Sequence, residues 1–196
     1  LSALVDLCHE ADMDFIPSVR MNEHYDVDPS VPEYGRFRRD HPEWLIGRPD
    51  EVFAEGKMEW GVRTGLNFAF PQVRSYMTDQ ISELFEQFDV DGVELDFMRH
   101  PTFFRIEEGY ANRHLMTDLL STVRRRMRKA GESRGKRLDL TVRVPPTLPD
   151  AARIGLDVEQ WIADDLIDIV IAGGGVIPFS MPLEQFVAAA KGSNCQ

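Results

Sequence analysis

The sequence predicts an α/β fold on parallel strands, specifically the central part of a (β/α)8, TIM-type barrel. Two observations carry this. Four short runs rich in Val, Ile, Leu and Phe alternate with stretches of helical periodicity, the order that gives parallel strands joined by helical crossovers. Within those runs, polar side chains recur at alternate positions on one face. A doubly wound sheet would need apolar side chains on both faces, so the pattern favours a barrel lumen.

The elements follow in order. Leu4, Val5, Leu7, Cys8 and Ala11 form one apolar stripe, so the chain is expected to open inside a helix, with sequence upstream and no leader in view. The four strands are expected at Phe15–Met21, Val90–Phe97, Leu138–Val144 and Ile167–Ala172. Pro71–Phe88 reads as a helix, with Val73, Met77, Ile81 and Phe85 on one face and Pro71 in its first turn. Leu115, Leu119, Val123 and Met127 mark another. Asp157 with Gln160 suggests a capping box opening a short helix through Trp161, and Pro182–Ala190 reads as the last helix. Residues 23–65 are rich in Pro, Arg and Glu; so long a connection is expected to be an ordered excursion over the barrel mouth, carrying Tyr25, His41, Trp44 and Trp60.

Strand parity sorts the side chains. Ser18, Arg20 and Asn22 share a face in the first strand, Glu94 and Asp96 in the second, Thr141 and Arg143 in the third. Val19, Val93, Leu95, Phe97, Leu140 and Val142 take the other face and suit a cover of helices. A full barrel needs about 250 residues, and four strands alone leave two unpaired edges. Residues 1–196 are therefore expected to form a single, partial barrel domain.

Charge and motifs exclude several chemistries. A net charge of −11 argues against nucleic acid, which rewards a basic face. The basic run Arg124–Lys129 reads as a solvated helix end complementing the dipole. Cys8 and Cys195 are too few for a disulfide framework, and Cys8 reads as a buried free thiol. No membrane span is visible. The five His residues form no H-x-H or H-E-x-x-H pattern, so no metal and no cofactor are expected. G-x-S-x-G and phosphate-loop signatures are also missing, which argues against a serine hydrolase or a nucleotide enzyme.

Two passages resemble a known family. Residues 67–101, NFAFPQVRSYMTDQISELFEQFDVDGVELDFMRHP, look like the central block of the glycosyl-hydrolase-like family 10 and related bacterial (β/α)8 proteins. There a segment ending P-x-V-R leads through a helix to a strand of the form Y-D-V-D-G-I-x-x-D-Y-x-x-P. Trp161–Ala172, WIADDLIDIVIA, is similar to that family's Trp-containing helix and the strand after it, and HPEWL at His41–Leu45 resembles the segment preceding the block. By that register the four strands are about the third to sixth of the barrel. The resemblance implies a hydrolase of O-glycosidic bonds with a carbohydrate substrate, often outside the cytoplasm. The family often has a second acidic or aromatic residue after the strand aspartate; here Phe97, Met98, Arg99 and His100 follow, and the last strand ends in Gly173–Gly175 without a carboxylate.

Glycoside hydrolysis uses two carboxyl groups, one protonating the leaving oxygen and one acting as nucleophile or base. Asp96, where a barrel strand meets its loop, is the leading catalytic candidate; its bland alternative is a turn former. Glu94, deeper by roughly 6–7 Å along the strand, is either the second catalytic carboxylate or a buried partner of Arg20 or Arg143. Arg20, Asn22, His24, Arg99, His100 and Arg143 are the candidate substrate-binding residues, as donors to sugar hydroxyls or as charge balance. Trp44 and Trp60 are either stacking platforms or packing residues. Acid/base glycoside hydrolysis leads; a glycan-binding barrel without turnover stands beside it, and a metal-dependent barrel hydrolase is disfavoured by the histidine pattern.

Overall fold

The structure, a computed structural model, describes residues 1–24, 28–174 and 181–196. Four strands form one parallel sheet in chain order: β1 (Ser18–Arg20), β2 (Gly92–Asp96), β3 (Asp139–Val144) and β4 (Ile169–Ala172). The ladder aligns Ser18, Glu94, Thr141 and Ile169 in one row, and Arg20, Asp96, Arg143 and Ile171 in the next. Side chains paired across a parallel ladder share a face, so the polar column read from strand parity lies on one side of the sheet. On the other side Val93, Leu95, Leu140 and Val142 are fully buried. They pack with Val73, Ile81 and Phe85 of α4 (Pro71–Gln87) and Met116, Leu120, Val123 and Met127 of α5 (Gly109–Arg134). This layer is the core, and its apolar area is what drives the sheet and helices together.

β1 is shorter than Phe15–Met21. Pro17 has no N–H to donate, and the Phe15 N–H is taken by the Asp91 carboxylate at 2.8 Å. The carbonyls of Phe15 and Pro17 still accept from Asp91 and Glu94, so the segment stays docked outside the regular ladder. Gly92 opens β2 because a Cβ there would lie 2.3 Å from the Asp139 carbonyl oxygen. Gly135, at φ 67°, closes α5 in the left-handed conformation glycine tolerates.

Several expectations need correction. Arg124 is not on a solvated face: it is buried, and α5 runs on past the basic run to Arg134. Asp157 precedes α7 (Val158–Ala163) but makes no capping bond; its carboxylate instead takes the Arg113 guanidinium at 2.9 Å. A helix not expected, α6 (Leu148–Arg153), follows β3, capped by Thr147. α1 (Ser2–Glu10) buries Val5 and leaves Leu4 and Leu7 exposed, with Cys8 half-buried. The last helix, α8, covers Glu184–Ala190. Residues 23–65 hold, where described, α2 (Arg36–Asp40), α3 (Met58–Val62) and two short 3-10 turns. Arg38, buried, binds this excursion together by donating to the carbonyls of Tyr34, Glu23 and Thr64. Arg105, from the loop after β2, clamps it through both Glu51 carboxylate oxygens at 2.6 and 3.0 Å.

Candidate functional site

The site is built where the polar rows reach the carboxyl ends of the strands. Glu94 is held from both neighbouring strands: the Ser18 hydroxyl donates to Oε1 at 2.8 Å, and Arg143 Nε lies 3.5 Å from the same oxygen. Of the two arginines weighed as its partner, Arg143 makes the ion pair. Asp96 ends β2 one row higher. Its Oδ1 accepts the N–H groups of Met98 at 2.9 Å and Arg99 at 3.2 Å, which turns the chain out of the strand. Arg20 and Arg143, exposed, flank Asp96 as its ladder neighbours on β1 and β3. Two carboxylates and two guanidiniums thus share one face and one end of the sheet.

The remaining candidates sit beside this row. Asn22 is buried, and its amide donates to the Leu66 and Thr102 carbonyls at 2.9 and 2.7 Å while Oδ1 accepts from Leu66 and Glu23. Its side chain therefore ties β1, the excursion and the loop after β2 together. His100 is buried too, with Nδ1 3.1 Å from the Asn22 carbonyl oxygen, and its ring lies 4.3 Å from that of His24. Burial pushes both imidazoles below their ordinary range; the neighbouring His100 adds to this at His24, and Arg99 adds to it at His100 against the Asn22 carbonyl. Arg99 is exposed beside them. Trp44 stacks on His41 at 3.8 Å, and Trp60 lies under the Arg63 guanidinium at 4.1 Å. Both rings are thus engaged within the excursion; Tyr25 and Gly175 lie outside the described residues.

Sequence reasoning missed Ser18 as a partner of Glu94, although its position two before Arg20 on the same face was the available signal. It also missed Asp168. This carboxylate, immediately before β4, pairs with Arg124 through two bonds of 2.8 and 2.9 Å and accepts the Leu140 N–H and Arg137. No group of three or more His, Cys, Asp or Glu side chains among the described residues is arranged to hold a metal.

The glycosyl hydrolase-like 10 family model matches residues 1–114. The chain belongs to the glycosyl hydrolase-like 10 family. The matched region contains β1, β2, the excursion and both candidate carboxylates, whereas Arg143 lies beyond it. A search of curated proteins found no significant match. Among solved structures, the chain is similar to YdhD of Bacillus subtilis, a candidate sporulation-specific glycosylase, at 14% identity and TM-score 0.54 over 98% of this chain and 52% of that one. It is similar to a GH36 alpha-galactosidase from Geobacillus stearothermophilus at 14% identity and TM-score 0.52, over 100% of this chain and 29% of that one. An Anoxybacillus alpha-amylase matches at 17% identity and TM-score 0.51, over 87% and 32%. These likenesses give the fold of this family member: a section of a (β/α)8 barrel. The chain spans about half or less of the length of each of these structures. No helix among the described residues is long and apolar enough to cross a membrane.

Proposed function

We propose that the protein hydrolyses O-glycosidic bonds of a poly- or oligosaccharide through carboxylate chemistry centred on Asp96 and Glu94. The observation that carries this reading is their placement: both project from one face of β2, at the carboxyl end of a parallel barrel sheet, between arginines of the adjacent strands. Barrel enzymes draw their catalytic side chains from that end, and glycoside hydrolysis asks for carboxyl groups flanking the scissile bond. Membership of a glycosyl hydrolase-like family and likeness to an alpha-amylase and an alpha-galactosidase support it. Arg20, Arg99 and Arg143 are the exposed donors for sugar hydroxyls, with His24 and His100 beside them and Asn22 supporting the loops they stand on.

Asp96→Asn keeps the shape and the turn-forming oxygen but removes the charge. On a panel of aryl glycosides and soluble glycans its turnover is expected to fall about 10²–10⁴-fold, the usual worth of a placed acid–base group. Near-normal hydrolysis would remove Asp96 from the chemistry. A second reading, a glycan-binding barrel without turnover, is favoured by the two backbone bonds that give Asp96 a turn-forming role. Glycan binding by the wild type with no cleavage on the same panel would select it.

A further inference from the structure

We infer that Ser18 is a positioning residue for Glu94, fixing one carboxylate oxygen so that the other is the one available for chemistry. The inference rests on the reading of Glu94 as catalytic. Ser18 and Glu94 are direct partners in the β1–β2 ladder, and the Ser18 hydroxyl donates to Oε1 at 2.8 Å. Arg143, one row higher on β3, brings Nε to 3.5 Å of that same oxygen. Among the described residues Oε2 receives no hydrogen bond. Glu94 is thus gripped from two strands at a single atom.

The asymmetry has a chemical consequence. A glutamate has three side-chain torsions, and one hydrogen bond from Ser18 together with the Arg143 ion pair, both on one oxygen, restricts them. The carboxylate plane is then set by β1 and β3 rather than by substrate. Both groups meeting Oε1 are donors, an arrangement that suits Glu94 as an acceptor, base or nucleophile rather than as the proton donor. Thr141, the next member of the row, is buried, and its hydroxyl has no hydrogen-bond partner among the described residues. Ser18 therefore supplies the hydroxyl bond to this carboxylate.

The test combines Ser18→Ala, Ser18→Thr, Glu94→Gln and the Ser18→Ala/Glu94→Gln double variant, assayed on p-nitrophenyl glycosides with melting curves alongside. Ser18→Ala is expected to lower kcat about 10-fold, as for a lost hydrogen bond to a charged group, with KM and melting temperature unchanged. Ser18→Thr, which keeps the hydroxyl, is expected to restore most of it. In the Glu94→Gln background the Ser18→Ala change is expected to have no further effect, since residues acting through one group do not add. Wild-type kcat in Ser18→Ala, with Glu94→Gln inactive, overturns the inference alone. No turnover by the wild type, or undiminished turnover in Glu94→Gln, overturns the catalytic reading of Glu94 and this inference with it.

Discussion

Arg124 and Asp168 meet through two N–H···O bonds of 2.8 and 2.9 Å, one to each carboxylate oxygen, with side chains only 4% and 6% exposed. The Arg124 guanidinium also donates to the Leu138 carbonyl, and the carboxylate accepts the Leu140 N–H. The pair thus joins α5, β3 and the residue before β4. Removing one partner of such a pair strands a buried charge, so Asp168→Asn is expected to cost about 3–5 kcal/mol in urea unfolding. A double change to apolar residues of similar size is expected to cost less, because it removes the desolvation penalty with the pair and leaves the cost of the Leu138 carbonyl and Leu140 N–H losing their partners. The sequence could not show this. Arg124 opens a run of six residues, of which four more are Arg or Lys, and only packing against a strand 44 positions away sets it apart from Arg125 or Arg128. Asn22 carries the same lesson. Strand parity placed it on the polar face, yet its four bonds run to backbone of three segments that no local pattern could bring together.

At the scale of elements, α6 depends on a cap that can be read in the sequence. The Thr147 hydroxyl oxygen accepts the Asp150 N–H at 3.1 Å and donates to the Asp150 carboxylate at 2.7 Å. Pro149 lies within the same first turn, where a missing N–H does no harm. Thr147→Ala is expected to cost about 1 kcal/mol, the usual worth of an N-cap, measured as a lowered unfolding midpoint with an unchanged denaturant slope. The comparable pattern at Asp157 and Gln160 forms no cap, and the Asp157 carboxylate meets Arg113 instead. Two similar local signals therefore have opposite outcomes, one carboxylate turned to its own helix and the other to a side chain of another helix. The four strands were legible for a simpler reason. Their apolar alternate positions seek cover: Val93, Leu95, Leu140 and Val142 of β2 and β3 are buried completely, and Val19 of β1 and Val170 of β4, in the outer strands, are half-buried. The excursion was legible only as a length, since short helices held by Arg38 and Arg105 have no periodicity to detect.

Across the whole molecule, the two ends of the sheet carry different charges for different purposes. At the amino ends Asp91 ties together His9, the Phe15 N–H and Lys136, while Asp168 ties Arg124, Arg137 and the Leu140 N–H. Burial pushes both carboxyls up, but the backbone donors and cations outweigh it and hold both below the usual carboxylate range. At the carboxyl ends lie the candidate site and the His24–His100 pair, whose imidazoles burial holds low. The signs then separate two pH windows. A histidine with a lowered folded pKa is protonated first in the unfolded chain, so its contribution declines as pH falls below about 6.5. A carboxylate with a depressed folded pKa gives stability that is complete above about 4 and is lost as pH falls further, through its folded value. Asp139, half-exposed, runs the opposite way, because burial and the Asp168 charge raise its carboxyl; solvent screening keeps that offset small. Acidification is therefore expected to loosen the molecule from the site end first. Amides of residues 22–24 and 100–102 should begin to lose hydrogen-exchange protection, corrected for intrinsic rates, as pH falls below about 6.5, where the histidines of the unfolded chain take up protons. Amides at the amino ends of β3 and β4 should hold until below about pH 4, where the carboxylates begin to be protonated. Simultaneous loss at both ends would mean that the sheet opens as one unit, and that the division between a clamped floor and a titratable mouth has no thermodynamic counterpart.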